Sequence, residues 1–282
     1  MTTRKNLKIG MGQLLVEGGE PKRNLQRAET MIKEAASQGC GIIVLPECMD
    51  LAWTHPSSQT EAMPIPGPYS DQIAGMAQDN GIHICCGLTE KDGDAVFNTA
   101  ILVDDAGEIL LKYRKINVLK IAQDIYQPGQ SLSVADTVFG KIGVNICSDN
   151  YADCLDIGYV LARMGAQIIL SPSSWTTEYS VTEDQDPYGE KWIAPYARLA
   201  RLFDIVIVSA TSVGTIVGGP YEGMKMVGCS LAVGKDGVAQ QSTYNEFSGQ
   251  LELASVQVPE PHLKGTEIGE MLDKNNALAG TS

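Results

Sequence analysis

Histidine is scarce in this sequence: His55, His83 and His262 are the only three in 282 residues, and they stand too far apart for HExxH or HxxxH ligand spacing. The seven cysteines contain no CxxC pair, so nothing predicts a metal centre or a bound cofactor. Their odd number and scatter through apolar segments, in a chain large enough to do without staples, predict reduced thiols. Basic runs are missing too. With 21 Lys and Arg against 34 Asp and Glu, and a formal net charge of −13, the chain lacks the clustered cations that nucleic acid or an anionic membrane face would require. No stretch approaches 18 apolar residues, and no apolar run follows Arg4, Lys5 and Lys8, so a cytoplasmic protein without membrane spans is expected. Internal repeats, low-complexity tracts and Pro/Gly/Ser linkers are also lacking. Residues 1–282 are therefore expected to form one domain, with a polar tail from about Pro259 that frays or drapes on a partner subunit.

What remains is a chain with 44% hydrophobic and 20% charged residues, enough to bury a substantial core. Four times a helical pattern passes through a break into a short apolar run. Helices are predicted at Lys22 to Gln38, Tyr69 to Asn80, Asp153 to Met164 and Glu190 to Phe203. They lead into GIIVL, IHICCGL, AQIILSP and IVIVSA, and Gly39, Gly81 and Gly165 end the first three. Phe97 to Lys115 reads as a strand pair turned at Asp104 to Gly107, and CSLAVG with the later QLELASVQV as another. The mixture predicts an α/β fold with helices on a large, partly antiparallel sheet system.

In such folds reactive groups collect where strands end. GIIVL runs into Pro46-Glu47, KIGVNI into Cys147-Ser148-Asp149, IILSP into Ser173-Ser174-Trp175, and ICCGL into Thr89-Glu90. Cys147 follows a glycine-containing strand at a sharp turn, the setting in which a nucleophile is presented beside backbone N–H groups. A thiol needs a base and a neighbouring positive charge. With histidine so poorly placed, Glu47 is the candidate base and Lys115 the candidate cation, and the coupled Glu47/Cys147 pair predicts a bell-shaped pH profile. Taken singly, each residue has a plainer reading: Cys147 as a core thiol, Glu47 as a loop carboxylate, Lys115 as a surface lysine at a strand end. Trp53, Tyr151 and Trp175 lie just past the strand ends and could wall an apolar pocket, or simply pack. Glu90 could orient Lys115, the loop from Glu183 to Tyr188 could rim the entrance, and Gly214 to Gly223 reads as a turn near the site.

Together these segments resemble the nitrilase superfamily of carbon–nitrogen hydrolases over nearly the whole chain. Leu45-Pro46-Glu47, FNTAILVDDAGEILLKYRKI from Phe97 to Ile116, GVNICSD from Gly143 to Asp149 and GAQIILSPS from Gly165 to Ser173 occur in the family's order. ARLARLFDIVIVSATSVG from Ala197 to Gly214 and GCSLAVGKDG from Gly228 to Gly237 match in kind. The resemblance implies a four-layer α-β-β-α sandwich, a Glu47–Lys115–Cys147 triad, a thioester acyl-enzyme and assembly as a homodimer or larger oligomer. Two departures stand out. Tyr151-Ala152-Asp153-Cys154 replaces the usual Phe-Pro-Glu element, and Gln123 and Asp124 precede Pro128-Gly129 where relatives carry a second glutamate, so Asp124 takes over that support or it is absent.

The activity implied is hydrolysis of a small amide or N-carbamoyl compound, with Trp53, Glu90, Asp124, Ser148, Tyr151 and Trp175 as candidate substrate contacts. Nitrile hydrolysis is the near rival, since both start with thiol attack on an electrophilic carbon. Transfer of the acyl group to an amine is a further enzymatic alternative, and a catalytically weakened binding protein is the alternative of another class.

Overall fold

The computed structural model describes residues 5–182, 185, 189–242 and 247–261. In chain order the strands and helices are β1 (Lys5–Gln13), α1 (Pro21–Ser37), β2 (Ile42–Val44), α2 (Pro68–Asn80), β3 (His83–Asp92), β4 (Ala95–Val103), β5 (Ile109–Arg114), β6 (Val134–Thr137), β7 (Gly140–Val144), α3 (Asp156–Arg163), β8 (Ile168–Ser173), β9 (Thr176–Thr177), α4 (Gly189–Phe203), β10 (Val206–Thr211), β11 (Val213–Thr215), β12 (Lys225–Val227), β13 (Leu231–Gly234), β14 (Gly237–Gln241) and β15 (Gln250–Val258). Two six-stranded sheets result, ordered β15-β1-β2-β3-β4-β5 and β14-β13-β10-β8-β7-β6, with a small third sheet β11-β12-β9.

The hydrophobic pattern explains the layering. In α1, Leu25, Ala28, Ile32 and Ala35 make one buried stripe, which packs with α2 residues Ile73 and Ala77 on Ile43, Ile84, Ile101 and Val103 of the first sheet. The opposite face of that sheet carries Ile9, Met11, Val44 and Leu102, which join Val144, Ile168 and Leu170 of the second sheet in one core. Leu161 of α3 and Leu199 of α4 complete the fourth layer, so the arrangement is the α-β-β-α sandwich expected. Central strands β8 and β10 are buried along their whole length, as parallel strands covered on both faces must be. Gly81 ends α2 in the left-handed region at φ 59, where a residue with a Cβ would be strained. Among the described residues no helix is long and apolar enough to cross a membrane.

Several local expectations need correction. CSLAVG and QLELASVQV do not pair with each other. β13 turns at Lys235-Asp236 into β14, whereas β15 crosses to the other sheet and runs antiparallel to β1 over nine residues. The half-polar VAQQ of β14 hid the nearer partner, and only packing brings the chain's two ends together. The helix expected from Asp153 starts at Asp156, because a short 3-10 turn at Cys147–Asn150 intervenes. Thr89 and Glu90 lie inside β3, which continues to Asp92. The polar tail was expected from Pro259; its residues 262–282 lie outside the described residues, as does most of the loop from Glu183 to Tyr188.

Candidate active site

β2 delivers Glu47 at its carboxyl end, and the close pairing of the neighbouring strand fixes its backbone. The Glu47 N–H donates to the Ser173 carbonyl at 3.2 Å, and Gly87 of β3 lies against its Cα. Lys115 follows β5 immediately, and its N–H donates to the Asn98 carbonyl on β4 at 2.8 Å. From there the Lys115 ammonium reaches Oε1 of Glu47 at 2.6 Å, and Nδ2 of Asn98 donates to the same oxygen at 2.6 Å. Both side chains of the ion pair are almost fully buried.

Cys147 sits at the elbow between β7 and the 3-10 turn, with φ 46, a conformation that L-residues seldom adopt and that surrounding contacts must enforce. Two networks enforce it. Asp149 accepts from the Ile146 N–H at 2.9 Å, the Tyr113 hydroxyl at 2.7 Å and the Asn117 N–H at 2.8 Å, which ties the elbow to the segment carrying Lys115. Beneath it, Asn145 and Asn150 exchange amide hydrogen bonds at 2.7 and 3.0 Å, and Asn150 also donates to the Ser171 hydroxyl at 2.9 Å.

Electrostatics couple the three groups. Burial, reinforced by the Glu47 charge and opposed by Lys115, pushes the Cys147 thiol up to about 12. The resting nucleophile is therefore a neutral thiol. Burial works to depress Lys115, but the negative charges of Glu47 and Asp149 and the hydrogen bond to Glu47 outweigh it and hold the ammonium above its ordinary value. Lys115 thus stays charged.

Cys147 and Lys115 open onto a pocket of about 100 Å³ walled by Trp53, Tyr151, Trp175, Trp192 and Tyr221. The Trp175 and Trp192 rings stack with centroids 4.5 Å apart, and the Lys191 ammonium lies 4.8 Å from the Tyr151 ring centre at the rim. Of the residues read from the sequence, the fold brings together Glu47, Lys115, Cys147, Trp53, Tyr151 and Trp175. Three others lie elsewhere. Glu90 is engaged by Thr99, Lys112 and Arg114 instead of Lys115. Asp124 is exposed after the 3-10 turn Lys120–Ala122, so the negative charge behind Lys115 comes from Asp149 instead. Ser148 is buried and turned away from the pocket, donating to the Asn117 carbonyl at 2.8 Å. Gly214 to Gly223 does border the site, since Tyr221 stands in the pocket wall. Asn98 and Asp149 join the site although the sequence does not single them out: both stand inside FNTAILV and GVNICSD, where a single sequence does not distinguish them from their neighbours.

Asp50, three residues beyond Glu47, is a buried carboxylate with no cation beside it among its hydrogen-bond partners. Both its oxygens accept from the Thr89 N–H at 3.0 Å. Burial nevertheless raises it from the ordinary 3.8 to about 6. Between these two values the unfolded chain has given up the proton and the folded chain retains it, so stability is lost as pH rises through this window, by about 3 kcal/mol in all. Asp50→Asn should remove that loss. In urea titrations its stability relative to the parent should rise between pH 4 and pH 7, and a pH-independent difference would contradict the assignment.

The fold and the buried carboxylate–ammonium pair beside a thiol define a class of cysteine hydrolases. The family model described as carbon-nitrogen hydrolase matches residues 8–259, and the chain belongs to that family. A nitrilase of Pyrococcus abyssi is 30% identical over 230 residues, 80% of each chain. An omega-amidase of Danio rerio is 32% identical over 163 residues, covering 54% of this chain and 58% of its own length, so the match to that relative spans little more than half of it. The amidase from Nesterenkonia sp. AN1, in a form showing covalent addition of the acetamide moiety of fluoroacetamide at its active site cysteine, superposes with a TM-score of 0.75 at 18% identity over 89% of this chain and 90% of that one. A carbon-nitrogen hydrolase from Helicobacter pylori G27 gives 0.78 at 17% identity over 97% and 94%. The protein is accordingly an enzyme of the amidase and nitrilase type, acting on carbon–nitrogen bonds other than peptide bonds.

Proposed function

We propose that this enzyme hydrolyses a small amide or N-carbamoyl compound through a thioester on Cys147, with Glu47 as proton carrier and Lys115 as electrostatic partner. The observation that carries the reading is the Lys115–Glu47 pair at 2.6 Å, buried beside the only thiol that lines the aromatic-walled pocket. As Sγ bonds to the amide carbon, its proton passes to Glu47, and Lys115 offsets the negative charge that collects on the carbonyl oxygen. Glu47 then protonates the leaving nitrogen as the C–N bond breaks, and ammonia departs. Water attacks the thioester, the acid is released and the thiol is restored. Every proton moved belongs to the thiol, the water or Glu47, so the cycle runs on the chain's own side chains.

The test is ammonia release from a panel of small amides, N-carbamoyl amino acids and nitriles, with Cys147→Ala alongside. The expected result is turnover of one class, an acyl adduct on the parent protein by intact mass, and neither in the variant, which should retain its circular dichroism. No turnover and no adduct with any class would sink the hydrolase reading in favour of a binding role. The similarity to the Pyrococcus abyssi nitrilase over 80% of each chain supports a second reading, nitrile hydrolysis by the same thiol, and the panel separates the two.

A further inference from the structure

Glu47 borders a second opening. Behind the carboxylate runs a narrow cleft of about 20 Å³, with Glu47, Ser174 and Ser212 at its inner end and Thr215 and Val217 at its outer end. The inner residues are buried, whereas Val217 is 58% exposed, so the cleft leads from solvent to the catalytic carboxylate. It shares only Trp53 and Ser174 with the pocket that holds Cys147. Its volume exceeds the ~10–15 Å³ that one water needs, and it is too small for an amide substrate.

The carboxylate itself is asymmetric. Oε1 accepts from both Lys115 and Asn98, whereas buried Oε2 accepts from no N–H or O–H group among the described residues. A buried carboxylate oxygen left without such a donor is costly, and a water at the end of the cleft supplies one. Polar groups continue along the same wall: the Ser212 hydroxyl donates to the Ser174 hydroxyl at 3.2 Å, and Ser174 to the Glu47 carbonyl at 3.4 Å.

We propose that this cleft is a water entrance separate from the substrate mouth, which delivers the hydrolytic water to Oε2 of Glu47 while an acyl group occupies the pocket. The proposal rests on the thioester reading above. Oε2 takes a proton from the water as the water oxygen bonds to the thioester carbon. The C–S bond then breaks with its electron pair on Sγ, and the proton on Glu47 passes to that sulfur, leaving a carboxylic acid and a free thiol. Acylation needs no water, so only the second half of the cycle depends on the cleft.

The experiment uses p-nitrophenyl butyrate, which acylates a reactive thiol whatever amide is preferred. The nitrophenolate burst reads acylation, and the decay of the butyryl adduct, followed by intact mass, reads deacylation. Ser212→Val fills the inner end, and Thr215→Trp plugs the outer end from an exposed position where folding is not at stake. In both, acylation should stay within about twofold of the parent while deacylation slows by about tenfold or more, so that the adduct accumulates. Deacylation at the parent's rate in either folded variant, or an equal fall in both steps, overturns the proposal. A parent protein that forms no butyryl adduct on Cys147 overturns the thioester reading itself.

Discussion

Lys115→Met should cost both activity and stability, and the two losses should be separable. Removing the ammonium takes away the charge that offsets the developing oxyanion, for which a fall in kcat of about 100- to 1,000-fold is expected. It also strands the Glu47 carboxylate, 1% exposed in the ion pair, with only Asn98 donating to it. Breaking one side of such a pair destabilises by about 3–5 kcal/mol. The double variant Lys115→Met/Glu47→Gln, which removes the stranded charge, should recover most of the stability in urea titrations and none of the amidase activity. A double variant as unstable as the single one would show that Lys115 acts by packing its stem rather than by balancing Glu47.

Gly87→Ala should be nearly as damaging, although residue 87 touches no substrate. A Cβ there would lie 2.5 Å from the Glu47 Cα, 2.8 Å from the Cys48 nitrogen and 2.9 Å from the Pro46 carbonyl oxygen. All three are backbone atoms, so no side chain can swing aside, and the Pro46 to Cys48 segment must move. Overpacking of this kind costs about 1–3 kcal/mol, and a displacement near 1 Å at a catalytic group costs about 100-fold in rate. The measurement is kcat against KM for the panel substrate that turns over. A fall in kcat with KM nearly kept is expected, because the aromatic pocket is formed by other segments. Parent-level kcat would mean that the Glu47 loop tolerates the shift.

These contacts also show how far the sequence reached. The four helix-to-strand units and the order of Glu47, Lys115 and Cys147 are legible, because periodicity and punctuation are local properties of the chain. The edge strand β15 was misassigned because its partner, β1, lies at the other end of the chain, some 240 residues away, and nothing local encodes that distance. Glu90 misleads for a related reason: a carboxylate near a strand end could serve Lys115 or a surface cation, and the registers of β3 on β4 and of β4 on β5 give it to Arg114 and Lys112.

Residue types and their order by themselves determined the chemistry available here: a thiol, a carboxylate and an ammonium at strand ends, with histidine too sparse to replace them. Tertiary structure alone decided which acid supports Lys115, which rings wall the pocket, and that Glu47, with one oxygen paired to Lys115 and Asn98, also lines a second cleft. The reason is physical. Buried charges and hydrogen bonds take their values from neighbours brought in by packing, and those neighbours come from β4, β5 and the 3-10 turn Cys147–Asn150, which are far apart along the chain.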